Sequence, residues 1–593
     1  MSVLDRFRAA HKSGSGAHRE FFEEAAKAFD YYGGDQWEEK DRAFLASQER
    51  PSLTFNQTNS IVNAVSGSEI TNRFETKYLP RTLEDSEFND MLTEVSRYIR
   101  QTCDAESEES SAFRDCVICG MGWTETSFDP FVGKTGQIKI EKVPVFEMLW
   151  DGHAKKANLS DAEWIMRGKW LSEDVFERIW GGERLEEVKS AVEGHNMPPS
   201  GSEPHNQSVA DLYIQNQVYY DGKKGRVPVW DFQEKQLTAK YLVRIYDKDG
   251  STVAEEELTP SEYTRFKEGR NPDSYLGQRF ETYTYYRSFI GGGVVLEEAE
   301  SEINDFTFKS LTGFNHQKDG STQQFFGLMR QMFDPQSWVN KMLSQLVYII
   351  ATNPKGAVIT EEGIFKNVEQ ARIEWGKPNA FIEARHKALQ DKAIQIVNGK
   401  YPSSIERFMQ ICMEFLPQLA GVNPYLTGQV DDLKRTAGAA VTSIQRQGLI
   451  TLSVLFDSLR RYRKSPGIGG LLPKFIERYM EDGTLVRITQ NPNDQTGEVV
   501  EYSSDWVNKM EFDVVVDEAP TSPTASLEFW NSLMQTDSLS VLMEAGLMTP
   551  DIIADIMPNV PSTIRQRMKD NYQMALQQQQ AAGGMPVEGE VVQ

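Results

Sequence analysis

Apolar residues return every three or four positions through most of the first 120 residues, and this spacing predicts helices. Between His18 and Tyr32 the recurring positions are Phe21, Phe22, Ala25, Ala28 and Phe29, and Gly33-Gly34 stops the helix. Residues 1–16, ending in KSGSG, are expected to be frayed. A second helix is expected near 56–74, with Ile61, Val62, Val65 and Ile70 on one side. A third covers about 85–103, its stripe formed by Phe88, Met91, Leu92, Val95, Tyr98 and Ile99, and a fourth covers 110–119 and ends at Gly120. The period then changes to two. WTETSFDPFVGKTGQIKIEKVPVFEMLW alternates on either side of VGKTG, which predicts a β-hairpin. Helices return at about 172–179 and 185–192, and 194–208 is a loop by composition.

From about 214 to 333 the chain is strand-rich, with GRVPVWDF, KYLVRIYD and RFETYTYYRSFI as strands and KDG and GGG as punctuation. KGAVIT is a further short strand, 372–382 is irregular or strand-like, and 403–419 is a helix. Helical patterning covers 433–463 and 471–480, and TLVRIT, EVVEYS and KMEFDVVVDE read as strands. From Ser526 the chain is helical, with breaks at Thr549-Pro550, Pro558 and Pro561, and QQQQAAGG leads into an acidic tail expected to be disordered. The fold class is α+β.

One stretch stands apart, DPQSWVNKMLSQLVYII at 334–350. Asp334 suits an N-cap and Pro335 the first helical position, where its missing N–H costs nothing. Trp338, Val339, Met342, Leu343, Leu346, Val347 and Ile350 form one stripe, while Gln336, Ser337, Asn340, Lys341, Ser344 and Gln345 form the other side. That polar side is mostly uncharged, which is commoner where helices pass close together than on a solvent face. The stripe alone does not offset the entropy lost on ordering the segment. A second surface is therefore expected, a neighbouring subunit for example; an ordinary core helix of a monomer is the equal alternative.

Composition narrows the function. The 593 residues carry a net charge of -24, the reverse of a simple DNA-coating protein, whose phosphate contacts run on Lys and Arg. Either nucleic acid is absent or its contact is weak; acidity for solubility alone is the plain alternative. The length suggests three or four domains. The first residues lack an apolar signal core, and the longest apolar runs, such as LVYIIA, fall far short of a membrane span. Four cysteines in such a chain make no disulfide scaffold, so a reducing cytoplasm is expected during synthesis.

Catalytic motifs are not found. VGKTG resembles the end of a phosphate loop, but position 128 is Phe where that loop needs glycine, and the segment lies between strands. Cys116 and Cys119 form a CxxC that shares a helical face with Ala112, which favours a buried apolar face over a metal or redox site. The histidines at 11, 18, 153, 195, 205, 316 and 386 are scattered and are assigned surface or capping roles. Glu106, Glu108 and Glu109 are expected to be a solvated helix start. No catalytic residue, metal site or cofactor is expected.

The order of several segments carries a resemblance. GGDQW (33–37), TFNQTNSIVNAVSGSEITNR (54–73), SAFRDCVICGMGWTETSFD (111–129) and LWDGHAKKANLSDAEW (149–164) come first. GLMRQMFDPQSWVNKMLSQ (327–345), NPKGAVI (353–359), AGVNPYLTG (420–428), RTAGAAVTSIQRQG (435–448) and FDVVVDEAPTSPTAS (512–526) follow. In this order they resemble the portal proteins of tailed double-stranded-DNA bacteriophages, the subgroup of Salmonella-type short-tailed phages. The resemblance covers most of the chain. It implies a ring, normally of twelve subunits, at one capsid vertex in the virion, with DNA passing through its axis. It implies a wing, a helical stem, a strand-containing clip and a helical crown. On this chain they would divide as 1–213, first wing part; 214–333, wing strands and clip with stem; 334–352, post-clip stem helix; 353–525, wing core with a tunnel loop near 387–404; 526–580, crown; and 581–593, tail. A long C-terminal helical barrel, present in some relatives, is not expected after QQQQ.

The stem helix would carry Asp334, Pro335, Gln336, Asn340, Lys341 and Ser344. Net acidity fits a conduit that lets DNA slide, with Arg330, Lys341, Lys387, Lys392 and Lys400 as candidate channel-side cations; solvated surface charge is the alternative for each. Implied partners are further copies of the chain, the large terminase subunit, the head-to-tail adaptor, and the capsid and scaffolding proteins. A virion or assembly protein without a DNA channel is the alternative function.

Overall fold

A computed structural model describes residues 2–48, 50–71, 73, 76–80, 86–133, 136–193, 225–246, 252–268, 274–317, 323–352, 357–360, 364–365, 367–375, 383, 394–397, 403–422, 452–480, 485–488, 498–501 and 512–516, with single positions at 553, 567 and 574. The chain divides into two units, one of Met1–Ala26, Ser66–Gly327 and Ser453–Gln593, the other of Lys27–Val65 and Leu328–Leu452.

The first unit opens with a helix, Val3–Ala17, where fraying was expected. Its start is held by a capping box: the Asp5 amide donates to Ser2 Oγ at 3.2 Å and the Ser2 amide to Asp5 Oδ2 at 3.3 Å. Val3, Phe7, Ala10 and Gly14 form its buried face. The small residues of KSGSG, which suggested disorder, instead allow close approach: a Cβ on Gly14 would lie 2.6 Å from the Trp164 ring.

The expected hairpin is present. Met121–Asp129 pairs antiparallel with Gln137–Val143, and Phe308–Thr312 adds to its other edge. The helix Ala105–Cys119 packs on this sheet, burying Ala112, Phe113, Cys116 and Val117. Contact between helix and strand is so close that a Cβ on Gly122 would sit 1.9 Å from the Ala112 carbonyl oxygen. Gly120, at φ +98°, makes the turn between them.

A larger antiparallel sheet runs in the order Met148–Trp150, Trp164–Ser172, Arg226–Tyr246, Tyr275–Gly291, Val294–Glu300, with Thr252–Leu258 paired to the far part of Arg226–Tyr246. GRVPVWDF and KYLVRIYD, read as separate strands, belong to this one 21-residue strand. The polar stretch between them stays extended because it pairs in unbroken register with its neighbour, from Val229↔Gly291 to Ile245↔Tyr275. Helices Glu173–Trp180 and Gly182–Glu193 cover one part of this sheet through Phe176, Leu185 and Val188. A helix that sequence patterning missed, Pro260–Lys267, begins with its own capping box, Thr259 with Glu262.

In the second unit the dominant element is the helix Met329–Thr352. It begins five residues before Asp334, so Asp334 is not its N-cap and Pro335 lies inside it. Proline removes one backbone bond, but Met329, Met332 and Phe333 are buried and extend the apolar face N-terminally, which outweighs that loss. Ser403–Leu419 is a helix as expected, whereas Val368–Trp375 is a helix where an irregular segment was expected from 372. Ala357–Thr360 pairs with Ile394–Val397, a strand inside the expected tunnel-loop segment. Residues 194–208, Lys387, Lys392, Lys400, 433–451 and nearly all of 526–593 lie outside the described residues.

Candidate functional site

The helix Met329–Thr352 is the centre of the second unit. Its side chains do not divide as the stripe predicted. Gln336, Asn340 and Ser344, on the polar side, are at most 4% exposed, while Trp338, Val347 and Ile350, on the apolar side, are 37–51% exposed. The polar row is buried against residues 51–57, a segment with no regular secondary structure and therefore with backbone groups in need of partners.

The side chains supply them in sequence. The Leu53 amide donates to Ser344 Oγ at 2.9 Å, the Phe55 amide to Asn340 Oδ1 at 2.9 Å, and the Gln57 amide to Gln336 Oε1 at 3.4 Å. Gln336 Nε2 returns a bond to the Phe55 carbonyl at 2.7 Å. The match has a geometric basis. Alternate residues of an extended chain advance by about 6.6 Å, and every fourth residue of a helix by about 6 Å. An i, i+4, i+8 row of amides and hydroxyls can therefore serve one edge of an extended strand. The uncharged character of the row follows, because each side chain must donate or accept in a place without water.

The same network gathers segments that are far apart in sequence. Asn340 Nδ2 donates to Gln36 Oε1 at 2.6 Å, and Gln36 Nε2 donates to the Tyr31 carbonyl at 2.8 Å and to Asn56 Oδ1 at 3.0 Å. Asn56 Oδ1 also accepts from the Thr58 hydroxyl and the Asn59 amide, fixing the start of the helix Thr58–Thr71. Thus GGDQW, TFNQTNS and DPQSWVNKMLSQ, noticed as separate motifs, form one buried polar core. Tyr31 closes it, with its hydroxyl 2.5 Å from Ser337 Oγ and its ring edge-on to Phe333.

Arg330 and Lys341 are eleven residues apart on this helix and so fall on nearly one face, with the exposed Asp334 between them. Lys341 pairs with Asp41 at 2.9 Å and remains about half exposed. Arg330 is partly buried. The other three candidate cations lie outside the described residues.

A feature missed in the sequence is on the helix Ser403–Leu419. Phe408, Ile411, Phe415 and Leu419 are all 38–50% exposed. Their spacing of three, four and four puts them on one face. Trp338 meets Phe408 edge-on at 6.1 Å between ring centroids, so the exposed apolar surface is shared by both helices. The spacing was visible in the sequence, but a stripe alone does not say whether the same subunit covers it.

In the first unit several expectations about charged and polar residues change. Glu109 is fully buried, not part of a solvated helix start. Arg100 donates to it twice, at 2.6 and 2.8 Å, and Arg463 Nε reaches it at 3.2 Å. Burial alone would raise its pKa; Arg100 and Arg463 outweigh that and hold it below the usual value. Glu106 is exposed, as expected, and pairs with Arg73 at 2.7 Å, and Glu108 accepts from the Lys142 amide at 2.8 Å. His18, expected at the surface, is buried. Its ring stacks on Trp150 and its Nε2 lies 3.1 Å from the Trp150 carbonyl oxygen. Cys116 and Cys119 are buried, and burial pushes both thiols up, as an apolar helix face requires.

None of the described helices is long and apolar enough to cross a membrane. Comparison with family models matches residues 4–589, nearly the whole chain, to the phage P22-like portal protein family. No curated protein matches the chain.

Proposed function

The chain belongs to the phage P22-like portal protein family, a structural family that serves DNA packaging, and we propose that it acts as one subunit of a ring at a single capsid vertex. Double-stranded DNA passes along the axis of that ring, inward during packaging and outward during ejection. The ring is a dodecamer that docks the large terminase subunit first and the head-to-tail adaptor later, and that contacts the capsid and scaffolding proteins. Translocation energy comes from the terminase; purified subunits that hydrolyse ATP would contradict this division of labour.

The observation that supports the ring is the exposed row Phe408, Ile411, Phe415 and Leu419 with Trp338 beside it. Apolar side chains aligned on one face, in a chain otherwise rich in charge, favour burial by another surface. A second copy of the chain satisfies that requirement in every subunit at once when the symmetry closes. In this reading Met329–Thr352 is the stem helix, and its internal polar core keeps it rigid beside the channel. Arg330, Lys341, Lys387, Lys392 and Lys400 are the proposed cations that steady DNA in an otherwise acidic conduit.

Wild-type protein, imaged by electron microscopy and sized by native mass spectrometry, is expected to give rings with an axial hole. Ile411→Glu combined with Phe415→Glu is expected to leave subunits with unchanged circular dichroism but without rings. Rings that persist in the double variant would remove this face from the interface.

A further inference from the structure

The first unit contains a cavity of about 160 Å3 between the strand Phe308–Thr312, the loop before it and the helices Ser453–Arg463 and Ile468–Tyr479. One water needs only about 10–15 Å3 of such volume, so the space is large enough for a polyatomic ion. The charged residues lining it are Lys309, Arg461 and Lys474 with one acid, Asp305; Arg461 is also paired with Asp457 at the surface, so the enclosed excess rests on the two lysines. This local excess of cations runs against a chain in which acids outnumber bases 87 to 63.

The carboxylate is already shared. Asp305 Oδ1 accepts from Lys309 Nζ at 2.8 Å and from the Phe306 amide at 2.8 Å, and Oδ2 accepts from Lys474 Nζ at 3.2 Å. Lys474 also donates to the Asn304 carbonyl at 2.9 Å. An ammonium has three donors. Among the described residues Lys309 therefore uses one, although its side chain is only 11% exposed, and Lys474 uses two. Arg461, about half exposed, pairs with Asp457 through Nε at 3.0 Å, and that Nε also lies 3.5 Å from the Asp457 carbonyl oxygen. A buried cation with half a counter-ion and idle donors is costly unless an anion completes it. Burial lowers the pKa of Lys309, Asp305 draws it back up, and the nearby Lys474 adds to the lowering.

Two further features favour an anion. Gly467, which lines the cavity, is the N-cap of the 12-residue helix Ile468–Tyr479, and no side chain caps that end. The helix dipole puts partial positive charge at that end. The Tyr285 phenol, pushed up to about 12 mainly by burial and then by Asp305, keeps its proton and remains a donor.

We propose that this cavity is a binding site for a small tetrahedral oxyanion, inorganic phosphate or sulfate, held by Lys309, Lys474 and Arg461. The bound ion would tie the loop at Asp305 to the helix Ile468–Tyr479. The depth of Lys309 selects a free ion over the backbone of duplex DNA, which cannot bring a phosphate to a side chain so enclosed. The site is independent of the ring reading.

The test is calorimetric titration of the full-length protein with inorganic phosphate at constant ionic strength, with unfolding temperature followed in parallel. Saturable binding of one ion per subunit is expected, with a rise in unfolding temperature that chloride does not reproduce. Lys474→Gln, at the half-exposed mouth, is expected to weaken binding by about tenfold or more. Lys309→Met is expected to abolish it; Lys474→Gln keeps the test valid if the buried substitution impairs folding. Absence of saturation, equal stabilisation by chloride, or unchanged affinity in Lys474→Gln would overturn the proposal. Displacement of phosphate by a short DNA duplex would overturn the assignment to a free ion.

Discussion

At the scale of single residues, burial decides roles that residue type leaves open. His18 has an ordinary imidazole pKa in the unfolded chain, and burial against Trp150 lowers it to about 4, partly offset by the bond to the Trp150 carbonyl. A depressed folded-state pKa means that the stability is present above the unfolded value of 6.5 and is lost as pH falls toward 4. His11, also lowered to about 4 by burial, acts in the same direction. Urea unfolding of the first unit should therefore shift to lower urea between pH 7 and pH 4.5, with His18 contributing up to about 3 kcal/mol. His18→Gln should flatten that dependence; a curve as steep as wild type would assign the acid sensitivity to other groups. Glu109 gives a second case. Removing it as Glu109→Ala strands Arg100 and Arg463 without their shared counter-ion and should cost about 3–5 kcal/mol, read from chemical denaturation. A loss below about 1 kcal/mol would mean that water or Glu69 compensates the two guanidinium groups. Neither role was legible from composition: His18 looked like a cap and Glu109 like one of three solvated acids, because their partners, Trp150 and Arg463, lie 132 and 354 residues away.

At the scale of elements, periodicity located most helices and the hairpin correctly, since those depend on neighbours a few residues away. The 334–350 stretch shows where that information ends. Its helical character and the unusual neutrality of its polar side were visible. The identity of the polar side's partner was not, because 51–57 has no periodic pattern of its own. Nor was the helix start, because Asp334-Pro335 is a good local start signal that buried packing by Met329, Met332 and Phe333 overrides. The polar row gives a direct prediction. Asn340→Ala leaves the Phe55 amide and Gln36 Oε1 without their partner and should destabilise the second unit by about 2–3 kcal/mol. Ser344→Ala, which removes one acceptor, should cost about 1 kcal/mol. Hydrogen exchange at the Leu53 and Phe55 amides should rise in each variant at its own position; unchanged protection there would show that the row does not hold the segment.

At the scale of the whole molecule, the excess of acidic residues fits a conduit for DNA better than a grip on it, and the proposed function then assigns DNA contact to few cations. Lys392→Glu with Lys400→Glu is expected to reduce DNA retention in filled heads and the yield of packaged genomes, measured by DNA content per particle. Particles that fill and hold DNA as wild type does would return these lysines to the class of solvated surface charges. The sequence by itself determined the α+β class, the strand-rich middle, the absence of local catalytic motifs and, through the order of its motifs, the portal family. These are encoded in short windows and their succession along the chain. Only the tertiary structure decided that three of those motifs share one polar core, that Glu109 and His18 are buried, that the Phe408–Leu419 row is exposed among the described residues, and that two lysines share one carboxylate beside a cavity. Each of these depends on which distant segment supplies the partner, and burial and charge balance exist only once that partner is in place.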